Sequence, residues 1–240
     1  MKILSIGNSF SQDAQRYLHR IAKKDGLELT TANLCIGGCS LRTHYLNMLN
    51  ENVAYDFEFN GETTFIKVSL KQALEGTEWD VITLQQASAF SADAETYLPY
   101  IEELVQYIKK YAPRSKIFVH ETWAYEDGCE RLKSIVNYNS AQEMFEDIRS
   151  AYAAAAKAIK ADGLIPCGTV MLKALSLGIK KIHRDTFHAS LGTGRYLLGL
   201  TWYKVLTGKD VSQNDFNEFD EPVTEEERAI VINAVNAIVQ

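Results

Sequence analysis

Short apolar runs that read as buried strands alternate along this 240-residue chain with longer segments of helical period. That alternation predicts an α/β fold, a flavodoxin-like three-layer sandwich with a central parallel sheet of about five strands and helices on both faces. Two local signals refine it. Asn60-Gly61 between β-rich runs predicts an inserted β-hairpin over about 54–68. Thr224-x-x-Glu227 ahead of Ile230, Ala234, Val235 and Ile238 predicts a capped closing helix over about 224–239. The length suits one domain over 1–240 with an ample core.

In order, Lys2 to Ile6 is a buried-strand run, and Ala14, Tyr17, Leu18 and Ile21 predict a helix over 13–24 that Gly26 stops. A second strand is expected over 27–34, then a tight Gly37-Gly38 loop and a helix over 42–50. A short helix over 69–74 leads to a central strand over 79–84. Leu98, Ile101, Leu104, Val105 and Ile108 predict one long helix over 94–111, with Pro113 beyond its end. Then come a strand over 116–125, an alanine-rich helix over 141–160, a last short strand over 164–167, an irregular polar stretch over 180–190 and an apolar helix over 195–206.

Composition narrows the function classes. A net charge of −6 disfavours nucleic acid or an anionic membrane as partner. No apolar run approaches a membrane span, and none of signal-peptide length opens the chain, so a cytoplasmic protein is expected. Cys35, Cys39, Cys129 and Cys167 lack metal-ligand spacing and are too few for a disulfide scaffold. No metal or cofactor is implied.

The chemistry centres on Gly7-Asn8-Ser9-Phe10-Ser11, between the first strand and the first helix. A serine there sits at the sheet rim, beside free N–H groups that favour a developing negative charge. Two plainer roles compete: Ser9 as helix cap with Gln12 completing the box, or Ser11 as the cap. A nucleophilic serine also needs a base. Of five histidines, His19 falls off the apolar stripe of its helix, His44 has no carboxylate close in sequence, and His120 lies inside a strand beside Glu121. His183 and His188 share the irregular stretch, where Asp185 precedes His188 by three residues, so one loop can present both. Arg184 beside them is either an ion-pair partner or an anion contact, and the acidic run 215–227 reads as a solvated face. Ser9, Gly38, Gln86 and Trp123 all fall at carboxyl ends of strands, where ligands of such sheets bind.

Taken together, these blocks resemble the SGNH (GDSL-type) serine hydrolases from Lys2 to about Gly208. Gly7-Asn8-Ser9-Phe10-Ser11 is similar to the nucleophile block, with Asn8 where Asp is usual; Ile36-Gly37-Gly38-Cys39-Ser40 is similar to the oxyanion glycine block. Asp185-Thr186-Phe187-His188 is similar to the final Asp-x-x-His block. The third block departs: Leu84-Gln85-Gln86-Ala87-Ser88 has no Asn, and glutamine stands there in relatives that deacetylate carbohydrates.

The resemblance implies a serine esterase of small acyl groups, acting on small-molecule or carbohydrate esters. Ser9, His188 and Asp185 would form the catalytic triad, and Ser9, Gly38 and Gln86 the oxyanion hole, with Gln85 the other candidate for the amide donor; the plainer role of both glutamines is to satisfy backbone groups at the strand end. Trp123, Tyr125 and Gln85 are candidates for substrate binding, the two aromatics by stacking on a sugar face. Two other classes stay open: a flavodoxin-like phosphate- or cofactor-binding protein, told by a bound chromophore, and a non-catalytic carbohydrate-binding relative, told by absent ester turnover.

Overall fold

The computed structural model describes residues 1–239; Gln240, the last residue of the expected domain, lies outside them. β1 (Lys2–Gly7) is the central strand, buried on both faces as parallel strands require. It pairs in parallel with β2 (Thr30–Cys35) on one side. Between them come α1 (Ser9–Gln15) and α2 (Leu18–Lys24). α3 (Leu41–Leu49) follows, capped by Ser40, and then the antiparallel hairpin β3 (Tyr55–Phe59) and β4 (Glu62–Val68). α4 (Leu70–Glu75) leads into β5 (Val81–Leu84), the other neighbour of β1. The chain continues through α5 (Tyr100–Tyr111), β6 (Lys116–Glu121), α6 (Glu130–Ser134), α7 (Ala141–Ala158), β7 (Gly163–Pro166), α8 (Cys167–Ser176), α9 (Thr193–Thr207) and α10 (Glu225–Ile238).

The sheet order is β4-β3-β2-β1-β5-β6-β7. Its five parallel strands keep the 2-1-3-4-5 sequence of flavodoxin-like sheets, and the hairpin extends the same sheet through the antiparallel β2–β3 pair. The sheet therefore has seven strands rather than about five, because the hairpin joins its edge. Successive side chains of β1 alternate between two cores. Ile3 packs with Phe10, Ile21, Trp202 and Val235 under α1, α2, α8, α9 and α10. Leu4 and Ile6 pack with Leu41, Leu104 and Ile148 under α3, α4, α5 and α7. Among the described residues no helix is long and apolar enough to cross a membrane.

Several boundaries differ from the periodicity. The first helix starts at Ser9 and breaks at Arg16-Tyr17, because the Tyr17 hydroxyl is held by Leu191 O and by the Asp220 N–H. The long helix begins at Tyr100, since Pro99 has no N–H for a helical bond; only a short turn, Ala94–Thr96, stands before it. The strand ending in Tyr125 stops at Glu121. α6 and α8 were not evident in the sequence.

Candidate active site

Asn8, not Ser9 or Ser11, caps α1. Its Oδ1 accepts the Phe10 N–H at 3.0 Å, and the Asn8 N–H donates to Ser11 Oγ at 3.1 Å to close the box. Ser9 becomes the first helical residue, half-buried, with its hydroxyl unspent on capping. The turn is tight: a Cβ on Gly7 would lie 2.3 Å from Ser11 Oγ.

Ser9 Oγ lies 2.8 Å from His188 Nε2. His188 Nδ1 lies 2.8 Å from Asp185 Oδ2, and the His188 backbone N–H donates to Asp185 Oδ1 at 2.9 Å. The carboxylate thus holds both ring and backbone of the histidine, which presents Nε2 to the serine. Partial burial pushes the Asp185 carboxyl up, but these hydrogen bonds outweigh it and hold it below its usual range.

The loop bearing Asp185 and His188 is braced from several sides. Arg184 N–H donates to His188 O at 3.0 Å, Ser190 N–H to Ile182 O at 2.7 Å, and Glu126 N–H to Thr186 O at 2.7 Å. His183 Nε2 donates to Ala124 O at 3.1 Å. Thr186 between the two acid–base groups adopts φ 75°, a left-handed conformation unusual for a β-branched residue.

Arg184 is an ion-pair partner. Its Nη1 lies 2.9 Å from Asp13 Oδ2, and Arg195 Nε lies 2.9 Å from Asp13 Oδ1. Asp13 is fully buried on α1, four residues past Ser9; burial pushes its carboxyl up, and the two guanidinium groups offset that desolvation only in part. Sequence reasoning missed Asp13 and Arg195; the one local signal was an acid on the inward stripe of α1.

Both glutamines are engaged within the protein, Gln86 in the plainer role of satisfying backbone groups. Both Nε2 protons of Gln86 have acceptors in Thr96 O and Thr96 Oγ1, each at 3.0 Å, and its Oε1 accepts from the Leu41 and Ala87 N–H groups. Gln86 is therefore spent on tying α3 to the loop after β5, and it does not point into an oxyanion hole. Gln85 is buried rather than at the substrate: Nε2 donates to Asn8 Oδ1 at 2.8 Å, and Oε1 accepts from His120 Nδ1 at 2.6 Å. Burial pushes His120 down to about 3, so the ring is neutral and Nδ1 carries the proton. Asn8 Nδ2 donates to Cys39 O at 3.1 Å, so one side chain ties the nucleophile turn to the glycine block and to β5.

Neither the Ser9 nor the Gly38 N–H has an acceptor among the described residues. Gly38 sits at φ 64°, where glycine avoids the cost of a side chain.

Trp123 and Tyr125 are not a sugar platform. Trp123 is 1% exposed, stacked on Phe10 at 4.1 Å, with Nε1 donating to Phe187 O at 2.8 Å. Tyr125 is 2% exposed, its hydroxyl 3.1 Å from Ser88 Oγ and its ring edge-on to Phe187. They support the histidine loop from behind. A cavity of about 1440 Å³ lies at the opposite end of the sheet, lined by Met1, Asp80 and Lys116 at the starts of parallel strands.

Comparison with known proteins fits this geometry. The model of the DUF4886 family, described as a domain of unknown function, matches residues 2–237. A DUF4886 family protein from Bacteroides uniformis is 32% identical with a TM-score of 0.90, over 99% of this chain and 94% of that one. A candidate SGNH hydrolase from Slackia heliotrinireducens is 22% identical, TM-score 0.61, over 86% and 98% of the two chains. A mutant of an acetyl-xylooligosaccharide esterase from Geobacillus is 11% identical, TM-score 0.56, over 85% and 92%. The fold is that of SGNH (GDSL-type) hydrolases. No curated protein matches the chain.

Proposed function

The chain belongs to the DUF4886 family, and within it we propose a single-domain serine esterase that removes small, acetyl-like acyl groups from small-molecule or carbohydrate esters. The observation that carries the reading is the continuous Ser9–His188–Asp185 chain, both links 2.8 Å. Ser9 Oγ attacks the ester carbonyl while His188 Nε2 takes its proton and Asp185 steadies the ring. The Ser9 and Gly38 N–H groups receive the oxyanion. His188 protonates the departing alcohol, then activates water to release the acyl group from Ser9.

Small acyl groups are favoured because the loops around Ser9 are mostly polar, with Phe90 and Ile135 as exposed large apolar side chains. Such loops cannot collect the roughly 0.8 kcal/mol per buried CH₂ that a long chain offers. The carbohydrate alcohol rests on the acetyl-xylooligosaccharide esterase among the fold's neighbours and not on Trp123 or Tyr125. The four free thiols suit a cytoplasmic setting. The phosphate-cradle alternative is disfavoured, since Asn8 already occupies the Phe10 N–H and His188 engages the Ser9 hydroxyl.

The test is covalent labelling of Ser9 by a fluorophosphonate, together with turnover of 4-nitrophenyl esters from acetate to palmitate. Labelling that Ser9→Ala or His188→Ala abolishes, and a kcat/KM maximum at acetate or propionate, are expected. The double variant should be little worse than either single one, because the pair acts as a unit. Full turnover by Ser9→Ala overturns the mechanism; a maximum at octanoate or longer overturns the small-acyl reading alone.

A further inference from the structure

Resting on the esterase reading, we propose that Arg131 forms a subsite for a carboxylate carried on the alcohol half of the ester, so that preferred substrates are acyl esters of anionic alcohols or phenols.

Arg16, Arg20, Arg114, Arg184, Arg195 and Arg228 each pair with a carboxylate of the protein. Arg131 does not. It is exposed, and its guanidinium carbon lies over the Phe187 ring, 4.2 Å from the centroid. A guanidinium stacked this way keeps its donor edges open. Phe187 in turn packs on His188 with ring centroids 3.9 Å apart, and its own ring is wedged by Phe10 and Tyr125. Its carbonyl is fixed by Trp123 Nε1. The charge is therefore mounted on a rigid platform one ring away from the general acid.

The side of the cleft follows from the chemistry. His188 gives its proton to the leaving alcohol, so that half of the ester lies against His188, whereas the acyl carbonyl turns to the Ser9 and Gly38 N–H groups. Arg131 and His188 both pack on Phe187, which associates the guanidinium with that half. Half-buried Ser88, bonded to Tyr125 OH, adds a hydroxyl near the same wall. A planar, forked cation with no acid partner among the described residues is suited to bidentate binding of a carboxylate.

The probe pair is 4-acetoxybenzoate and its methyl ester, compared as a ratio of kcat/KM so that differences in leaving group cancel between variants. Arg131→Gln should lower the anionic-to-neutral ratio about fivefold, mainly through KM, the size expected of a partly exposed charge-assisted contact. Arg131→Lys should fall between, keeping charge without the fork, and added salt should erode the wild-type ratio. An unchanged ratio, or equal loss on both esters, overturns the subsite while leaving the esterase intact. A ratio that instead shifts for 4-nitrophenyl hemisuccinate against butyrate puts the anion on the acyl half and overturns the assignment. Absence of turnover with either ester, together with no labelling of Ser9, removes the esterase reading and the subsite with it.

Discussion

Asp13 and Arg184 are 171 positions apart in sequence and 2.9 Å apart in the fold. The first lies on the helix that begins with Ser9; the second directly precedes Asp185. Their pair ties the helix that begins with Ser9 to the loop that carries His188. Arg195 binds the same carboxylate from α9, and the other partner of its side chain is Asp220.

The two arginines should therefore separate in mutants. Arg184→Gln is expected to lower kcat about ten- to a hundredfold with little change in KM, as a displacement of about 1 Å at the chemistry does. Arg195→Gln should cost stability, about 1–3 kcal/mol, with a smaller effect on kcat. Steady-state kinetics and denaturant titration of both variants check this; equal kcat losses scaling with stability would contradict it.

Gln86→Ala should behave as a structural variant. It leaves the Leu41 and Ala87 N–H groups without their acceptor, a cost of about 1–3 kcal/mol in unfolding free energy. Because its amide protons face Thr96, kcat should fall by much less than the roughly 10²–10³ that loss of an oxyanion donor brings. A loss of that size at unchanged stability would return Gln86 to the hole.

Asn8→Asp tests the unusual residue of the nucleophile block. The carboxylate could still accept from Phe10 N–H and Gln85 Nε2, but it would set an oxygen against the buried Cys39 carbonyl in place of a donor. Destabilisation by about 1–3 kcal/mol is expected, with slower labelling of Ser9. Wild-type stability and labelling rate in this variant would mean that the Cys39 contact is dispensable.

Acid should unfold the protein through its buried imidazoles. Burial pushes both His44 and His120 from about 6.5 down to about 3. Lowered folded values mean that the unfolded chain binds protons first. Stability is then fully present above pH about 6.5 and is lost as pH falls towards 3, by about tenfold in the folding constant per pH unit for each histidine. His120→Gln keeps a donor for Gln85 Oε1 and should remove one proton from that slope. Unfolding free energy against pH for the two proteins makes the comparison; identical slopes would show that His120 is already charged in the folded state.

What the sequence made legible was local. Strand periodicity, Asn60-Gly61, the Thr224 capping box and the Asp185/His188 spacing are each complete within a few residues, and each recurs in the structure. The third block is not legible locally, because the partners of Gln85 and Gln86 lie on other elements: His120, Asn8, Thr96 and Leu41. Trp123 and Tyr125 were misplaced because a strand-end aromatic looks the same whether it lines a cleft or backs a loop. The break at Arg16-Tyr17 carries no glycine or proline, since its cause is a bond from Tyr17 to Leu191 and Asp220. Pro99, by contrast, marks the start of α5 in plain sight.

Asn8 joins Phe10, Cys39 and Gln85, and Gln85 joins His120. Evolutionary drift at these positions is consequently not independent. Shortening Gln85 strands the His120 proton, and replacing His120 by an apolar residue strands the Gln85 oxygen. Any lineage that changes one of these partners alone passes through an intermediate with a buried, unpaired polar group in the network that holds the Ser9 turn. Such substitutions should arrive in sets, and an ancestral reconstruction that moves one alone describes a protein that folds less well than either neighbour on its path.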